Sequence, residues 1–404
     1  GIFFYLMINI EVLLILGGYL MEIRKDLPEI FEDFSEARRN GFISAKQFKD
    51  QNKPMIGTFC TYMPQELPLA MGAAVVSLCA TSDETIAEAE VDLPRNLCPL
   101  IKSSYGFGKT DKCPYFYFSD LVVGETTCDG KKKMYEHMGQ FKDVHVMQLP
   151  NTQFGEQAFE LWKSEIVKLK ELLEEKFDVE ITEDAIKSAI NLKNRERSAL
   201  KDFYSLGKLN PPAISGGDIL KVLYGSTFKF NREDTIEEVK NLTSRILDEY
   251  NAGKKLDSKP RILITGCPIG GVTEKVVKAI EDNGAYVVFF ENCMGAKAIE
   301  ENVSEDNDDV YAALAEKYLS IGCSCMTPNP NRITMLNKAI DEYKVDAVVD
   351  VLLQACHTYS VETLTIKQFV NKEKNIPYMS IETDYSTSDV GQLNTRMSAF
   401  IEML

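Results

Sequence analysis

The chain has no C-x-x-C pair, so it lacks the usual spacing of a structural zinc site. It holds only three histidines, His137, His145 and His357, and they form neither an H-E-x-x-H motif nor a Ser/His/Asp arrangement. The glycines after RILIT fall at Gly266, Gly270 and Gly271, which does not make the G-x-G-x-x-G turn of a dinucleotide site. Ser103 to Thr110 ends in Gly-Lys-Thr like a nucleotide loop. However, Ser103 stands where the first glycine belongs and no apolar strand immediately precedes it. Basic residues are also scarce: 45 Lys and Arg against 61 Asp and Glu leave a net charge of −16. That balance excludes nucleic acid as a partner, and no basic pocket for the phosphates of a coenzyme A can be read from the sequence.

What is present is a chain of 404 residues with 45% hydrophobic and 26% charged content, enough for two or three domains with substantial cores. Residues 1–20 form a nearly continuous apolar run that lacks a basic flank and carries Glu11 in its middle. The amphipathic stretch that follows makes Met21 the expected native start and 1–20 an apolar leader foreign to it. N-terminal sequencing of the purified native protein should then begin at Met21.

Apolar patterning predicts an α/β protein with two Rossmann-like parallel-sheet domains, a helical N-terminal segment at 21–52 and a helical connecting region. The first α/β domain spans 53–150, with strands in MIGTFC, AAVVSLC, YFYFSDLVVGE and VHVMQL and helices in ELPLAMGA and KKKMYEHMGQF. Residues 151–255 are long, charged and apolar at helical spacing, contain the only tryptophan, Trp162, and break at Asn210-Pro211-Pro212. The alternation resumes over 256–404 with RILITG, YVVFFE, AVVDVLL and YMSIE, so that the two α/β segments share a plan.

Ten cysteines are the chain's main chemical resource, and most of them follow an apolar run. Ligands of an open α/β sheet gather beyond the carboxyl ends of its strands, and soft thiolates there suit an iron–sulfur cluster. Cys98 lies in a Pro-rich loop; Cys128 and Cys356 precede helices whose N-termini stabilise a thiolate. Cys60 and Cys293 end strands. Cys323 and Cys325 form a C-x-C in which one is the ligand and the other a neighbour. Cys267 is a reserve, and Cys79 and Cys113 read as small buried hydrophobes. His357, beside Cys356, is either a proton donor or a hydrogen-bonding neighbour of the ligands. Lys131, Lys132 and Lys133 read as a solvated helix face or a docking patch.

FCTYMPQEL at 59–67, TTCDGKKKMYE at 126–136, ACHTY at 355–359 and IETDYS at 381–386 resemble the 2-hydroxyacyl-CoA dehydratase / benzoyl-CoA reductase subunit family from about residue 50 onward. The resemblance implies a 4Fe–4S cubane on Cys98, Cys128 and Cys356. The surplus cysteines resemble the double-cubane branch, which implies a second cubane bridged to the first, here on Cys60, Cys293 and Cys323. It further implies a cytoplasmic, anaerobic homodimer that reduces a small molecule with low-potential electrons from a separate ATP-hydrolysing iron–sulfur activator. A dehydratase subunit with a single 4Fe–4S cluster and an electron or cluster carrier are the alternatives.

Overall fold

The computed structural model describes residues 27–28, 35–267, 270–293 and 295–404. The 1–20 run and the proposed start at Met21 lie outside the described residues. Among the described residues no helix is long and apolar enough to cross a membrane.

Among the described residues, eight strands form two four-stranded sheets, and every pairing is parallel. The first contains β1 (Met55–Thr58), β2 (Ala74–Ser77), β3 (Leu121–Glu125) and β4 (Val144–Met147) in the order β2-β1-β3-β4. The second contains β5 (Arg261–Gly266), β6 (Tyr286–Glu291), β7 (Ala347–Leu353) and β8 (Tyr378–Thr383) in the order β6-β5-β7-β8. The two orders are the same, so the shared plan read from the sequence is a shared topology. Strands β3, β5, β6 and β7 are buried along their whole length. This is why they read as continuous apolar runs rather than as alternations.

Twelve helices of ten residues or more are numbered here among the described residues. They are α1 (Glu36–Lys49), α2 (Pro99–Lys109), α3 (Asp129–Met138), α4 (Glu156–Phe177), α5 (Glu183–Tyr204) and α6 (Gly216–Ser226). They continue with α7 (Arg232–Asn251), α8 (Gly271–Asp282), α9 (Val310–Leu319), α10 (Pro330–Glu342), α11 (His357–Gln368) and α12 (Val390–Ile401). Ser215 caps α6, as the Ser-Gly-Gly-Asp stretch suggests. The nucleotide-loop look-alike at 103–110 lies almost wholly inside α2 and ends at its C-cap, Thr110.

One expectation fails locally. YFYF belongs to a helical turn, Pro114–Phe118, and the strand begins only at Leu121. Cys113 caps the turn by accepting from the Phe116 N–H at 3.4 Å, and Pro114 supplies a preset φ at the first helical position. Capping chemistry therefore outweighs the β preference of the aromatics.

The helical region and the second α/β segment pack together onto the first sheet. Trp162, Ile166 and Leu169 of α4 and Leu314 of α9 share one core with Ile56, Val75 and Val123. In the second sheet β5 and β7 approach closely at Gly266, where φ is +122° and a Cβ would stand 2.0 Å from the Val351 carbonyl oxygen. Gly266→Ala is expected to destabilise the fold by about 2–3 kcal/mol in denaturant unfolding, through strain and displacement of β7.

Candidate functional site

A parallel sheet of this order reverses direction between its first and third strands, and the crevice beyond those strands' carboxyl ends is the natural ligand position. Both crevices carry cysteines. Cys60 lies two residues beyond β1 and Cys128 three beyond β3; Cys267 directly follows β5 and Cys356 lies three beyond β7. Cys128, Cys356 and Cys98 are the N-cap residues of α3, α11 and α2, so three helix N-termini face thiols. The positive end of a helix dipole favours the thiolate form.

The thiols fall into two neighbouring groups. Burial pushes the Cys98 thiol up to about 12, and the nearby Cys356 and Cys128 sulfurs add to the shift. Cys356 is held down to about 7, first by a hydrogen bond from the Cys267 thiol. The Leu353 N–H donates to Cys267 Sγ at 3.3 Å. In the second group, Cys323 is lowered to about 5, chiefly by a hydrogen bond from Cys325, with the Lys297 ammonium contributing. Burial raises Cys293 to about 12, and it feels Lys297 and Cys323. Cys60 is raised by burial and feels Cys293. Cys128 also feels Cys323, which links the groups. The fold thus brings together all six residues singled out as ligands, Cys60, Cys98, Cys128, Cys293, Cys323 and Cys356, with Cys267 and Cys325 alongside. Cys113 is a helix cap, and Cys79 donates to the Phe59 carbonyl at 2.8 Å.

Buried cations sit against the thiols. Lys131 donates to Cys60 Sγ at 3.0 Å and lies over the Phe59 ring. The three-lysine run is therefore not one surface patch: Lys131 turns inward, while Lys132 and Lys133 pair with Asp129 and Glu136 on the outside. Lys297 contacts Glu291 at 2.9 Å and donates to the Tyr359 hydroxyl at 2.6 Å; that oxygen stands 3.8 Å from Cys323 Sγ. Arg332 reaches Glu362 at 2.6 Å, Glu291 at 3.3 Å and Asp350 at 3.8 Å. Its guanidinium also donates to Ser324 Oγ at 3.2 Å, which ties down the loop of Cys323 and Cys325.

Lys297, Arg332 and Glu291 escaped the sequence reading because nothing in their local pattern distinguishes them. Tyr359 lies in the ACHTY motif and could have been found there. It points inward, whereas His357 opens α11 in an exposed position with no hydrogen bond described. A basic cavity that the sequence does not reveal is nonetheless present. Lys193 and Arg197 of α5, Arg232 of α7 and Lys317 of α9 line one cavity with Cys60 and Cys293, although the three helices are far apart in the chain.

Among the described residues no three of His, Cys, Asp or Glu converge closely enough to share one metal ion. A cubane asks for a looser set, because each of its thiolates binds a separate iron. The donor set fits such a group: thiols at three helix N-termini, with two buried lysines beside them to balance negative charge.

The fold and site together define a two-sheet α/β protein whose cysteines collect at both sheet crevices. A family model described as 2-hydroxyglutaryl-CoA dehydratase, D-component, matches residues 60–404. The chain is 64% identical to "Putative dehydratase subunit YjiM" of Escherichia coli, over 95% of this chain and the whole of that protein. It is 24% identical to the (R)-phenyllactyl-CoA dehydratase beta subunit of Clostridium sporogenes, over 93% of this chain and 99% of that one. It is 23% identical to (R)-2-hydroxyglutaryl-CoA dehydratase, subunit beta, of Acidaminococcus fermentans, over 94% of this chain and all of that one. The chain belongs to the 2-hydroxyacyl-CoA dehydratase / benzoyl-CoA reductase subunit family.

Proposed function

We propose that the protein is an iron–sulfur reductase acting on a small molecule, with one 4Fe–4S cubane on Cys98, Cys128 and Cys356 and a second, bridged to it, on Cys60, Cys293 and Cys323. The observation that carries this reading is the presence of thiols at both sheet crevices, in two adjoining groups, where one cubane would use only three. When bound, the cluster supplies low-potential electrons one at a time.

The protein's own groups hold and protect that chemistry. Lys131 keeps a positive charge on Cys60 Sγ, and Lys297 does so near Cys293 and Cys323. Lys297 also orients the Tyr359 hydroxyl, which is placed to hold or pass a proton at 3.8 Å from Cys323 Sγ. His357 occupies the exposed side of the same helix start. Electrons would come from a separate ATP-hydrolysing iron–sulfur activator, and the working unit would be a homodimer in the cytoplasm. Lys132 and Lys133, exposed on α3, are the docking candidates.

The relatives are named as dehydratase subunits, which favours a second reading as a dehydratase subunit; on that reading the chain would carry one 4Fe–4S cluster and work beside a non-identical partner. Iron and acid-labile sulfide analysis of anaerobically purified protein separates the two. The reductase reading expects about eight irons per chain, and the dehydratase reading about four. Cys98→Ser and Cys293→Ser should each lose iron in the first case. Iron lost at Cys98 alone, with none lost at Cys293, overturns the double-cubane assignment.

A further inference from the structure

The cavity between the thiols and helices α5, α7 and α9 has a volume of about 120 Å³. Its lining includes the thiols Cys60, Cys79 and Cys293 together with the cations Lys193, Arg197, Arg232 and Lys317. The cations are not fully matched. Glu196 takes Lys193 and Arg232, the latter at 3.1 Å, and Glu66 takes Arg197 at 2.6 Å and the Tyr318 hydroxyl at 2.7 Å. Lys317 is left over. It is 5% exposed and, among the described residues, its amine makes no hydrogen bond or ion pair; the Glu66 and Glu301 carboxylates act on it only from a distance, and the Tyr318 ring centroid lies 4.1 Å away. The Nε atoms of Arg197 and Arg232 are buried without an acceptor.

Among the groups in direct contact, four cations stand against two carboxylates, a surplus of two positive charges, or one when the Lys317 amine is neutral; Glu301, farther off, offsets part of it. Burial, reinforced by Arg197 and Lys193, pushes the Lys317 pKa well below its ordinary value. An uncompensated buried charge costs several kcal/mol, so a site retaining one is poised for an anion brought from outside. The whole chain carries −16, so this local excess runs against its overall field. Val76, Leu200 and Ile299 make the walls apolar, suited to a carbon skeleton. The volume is well under the ~300–1,000 Å³ of pockets that take drug-sized ligands, so the cavity can enclose a short carboxylate or acyl group but not the whole of a CoA thioester.

We propose that this cavity binds a small carboxylate, of about two to four carbons, with its carboxyl group on Lys317 and its other end toward Cys60 and Cys293. The orientation rests on the reading of the thiol end as a redox centre; the anion site itself does not.

Isothermal titration of the anaerobically purified full chain with acetate, propionate, malonate, inorganic phosphate and free coenzyme A tests it. At least one carboxylate is expected to bind, at least tenfold more weakly to Lys317→Gln, with iron content and electron paramagnetic resonance spectrum unchanged. Lys317→Met is the second variant should Lys317→Gln not fold; with the unpaired charge removed, its melting temperature is expected to rise. No carboxylate binding, equal affinity in the variants, or binding of phosphate or coenzyme A alone overturns the proposal. Carboxylate binding through Lys317 in a chain without iron supports the site and defeats the redox reading; iron without carboxylate binding does the reverse.

Discussion

Replacing Arg332 by leucine is expected to lower the free energy of unfolding by about 3–5 kcal/mol, the range for breaking a buried ion pair from one side. Arg332 is fully buried and serves Glu291, Asp350 and Glu362, and it also donates to Thr265 Oγ1 at 2.7 Å. Leucine fills much of the volume but leaves Glu291 with Lys297 as its remaining cation, and leaves Asp350 and Glu362 with hydrogen-bond donors but no paired cation. The pH dependence has a definite sign. Arg332 helps hold the Glu362 carboxyl below its ordinary range, so the stability it contributes is present at neutral pH and lost as pH falls through that lowered pKa. The gap between Arg332→Leu and the parent chain should therefore narrow toward acid pH in urea titrations. The loop of Cys323 and Cys325 also loses its anchor at Ser324, so iron content should fall together with stability. A variant as stable as the parent at neutral pH would show that this network does not hold the second sheet to the thiols.

Lys131→Met tests electrostatics more than stability. Methionine keeps the unbranched stem over Phe59 and removes the charge that meets Cys60 Sγ at 3.0 Å. A hydrogen bond to a charged group contributes about 1.5–3 kcal/mol, which for a one-electron couple corresponds to about 65–130 mV. Removing a cation makes adding an electron harder, so the potential of a cluster held by Cys60 should become more negative by that amount. Redox titration followed by electron paramagnetic resonance checks it, with iron analysis to show that the cluster is retained. An unchanged potential with full iron would mean that Cys60 is not a ligand. Lys132→Met serves as the comparison: its ammonium pairs outward with Asp129 and should leave the potential where it is.

Strands β3, β5, β6 and β7 were the most legible, because a strand buried on both faces must be mostly apolar along its length. The places of Cys60, Cys128, Cys267 and Cys356 followed from the apolar runs. YFYF was misread because a cap and a proline decide its conformation, and neither alters hydrophobic periodicity. Lys131, Lys297, Arg332 and the four cations of the cavity could not be read at all. A charged side chain carries no local mark of burial, and its partners come from distant segments: Lys131 meets Cys60, and Arg197 meets Glu66.

By itself, then, the sequence determined the architecture and where thiols can gather, because both depend on hydrophobic runs and on the residue that follows each run. Only the tertiary structure decided which charges are buried beside those thiols, that Tyr359 rather than His357 faces Cys323, and that Lys317 is left without a partner. Those outcomes depend on how helices from separate parts of the chain pack over the crevices. Burial fixes the energy of a charge only once every neighbour is in place.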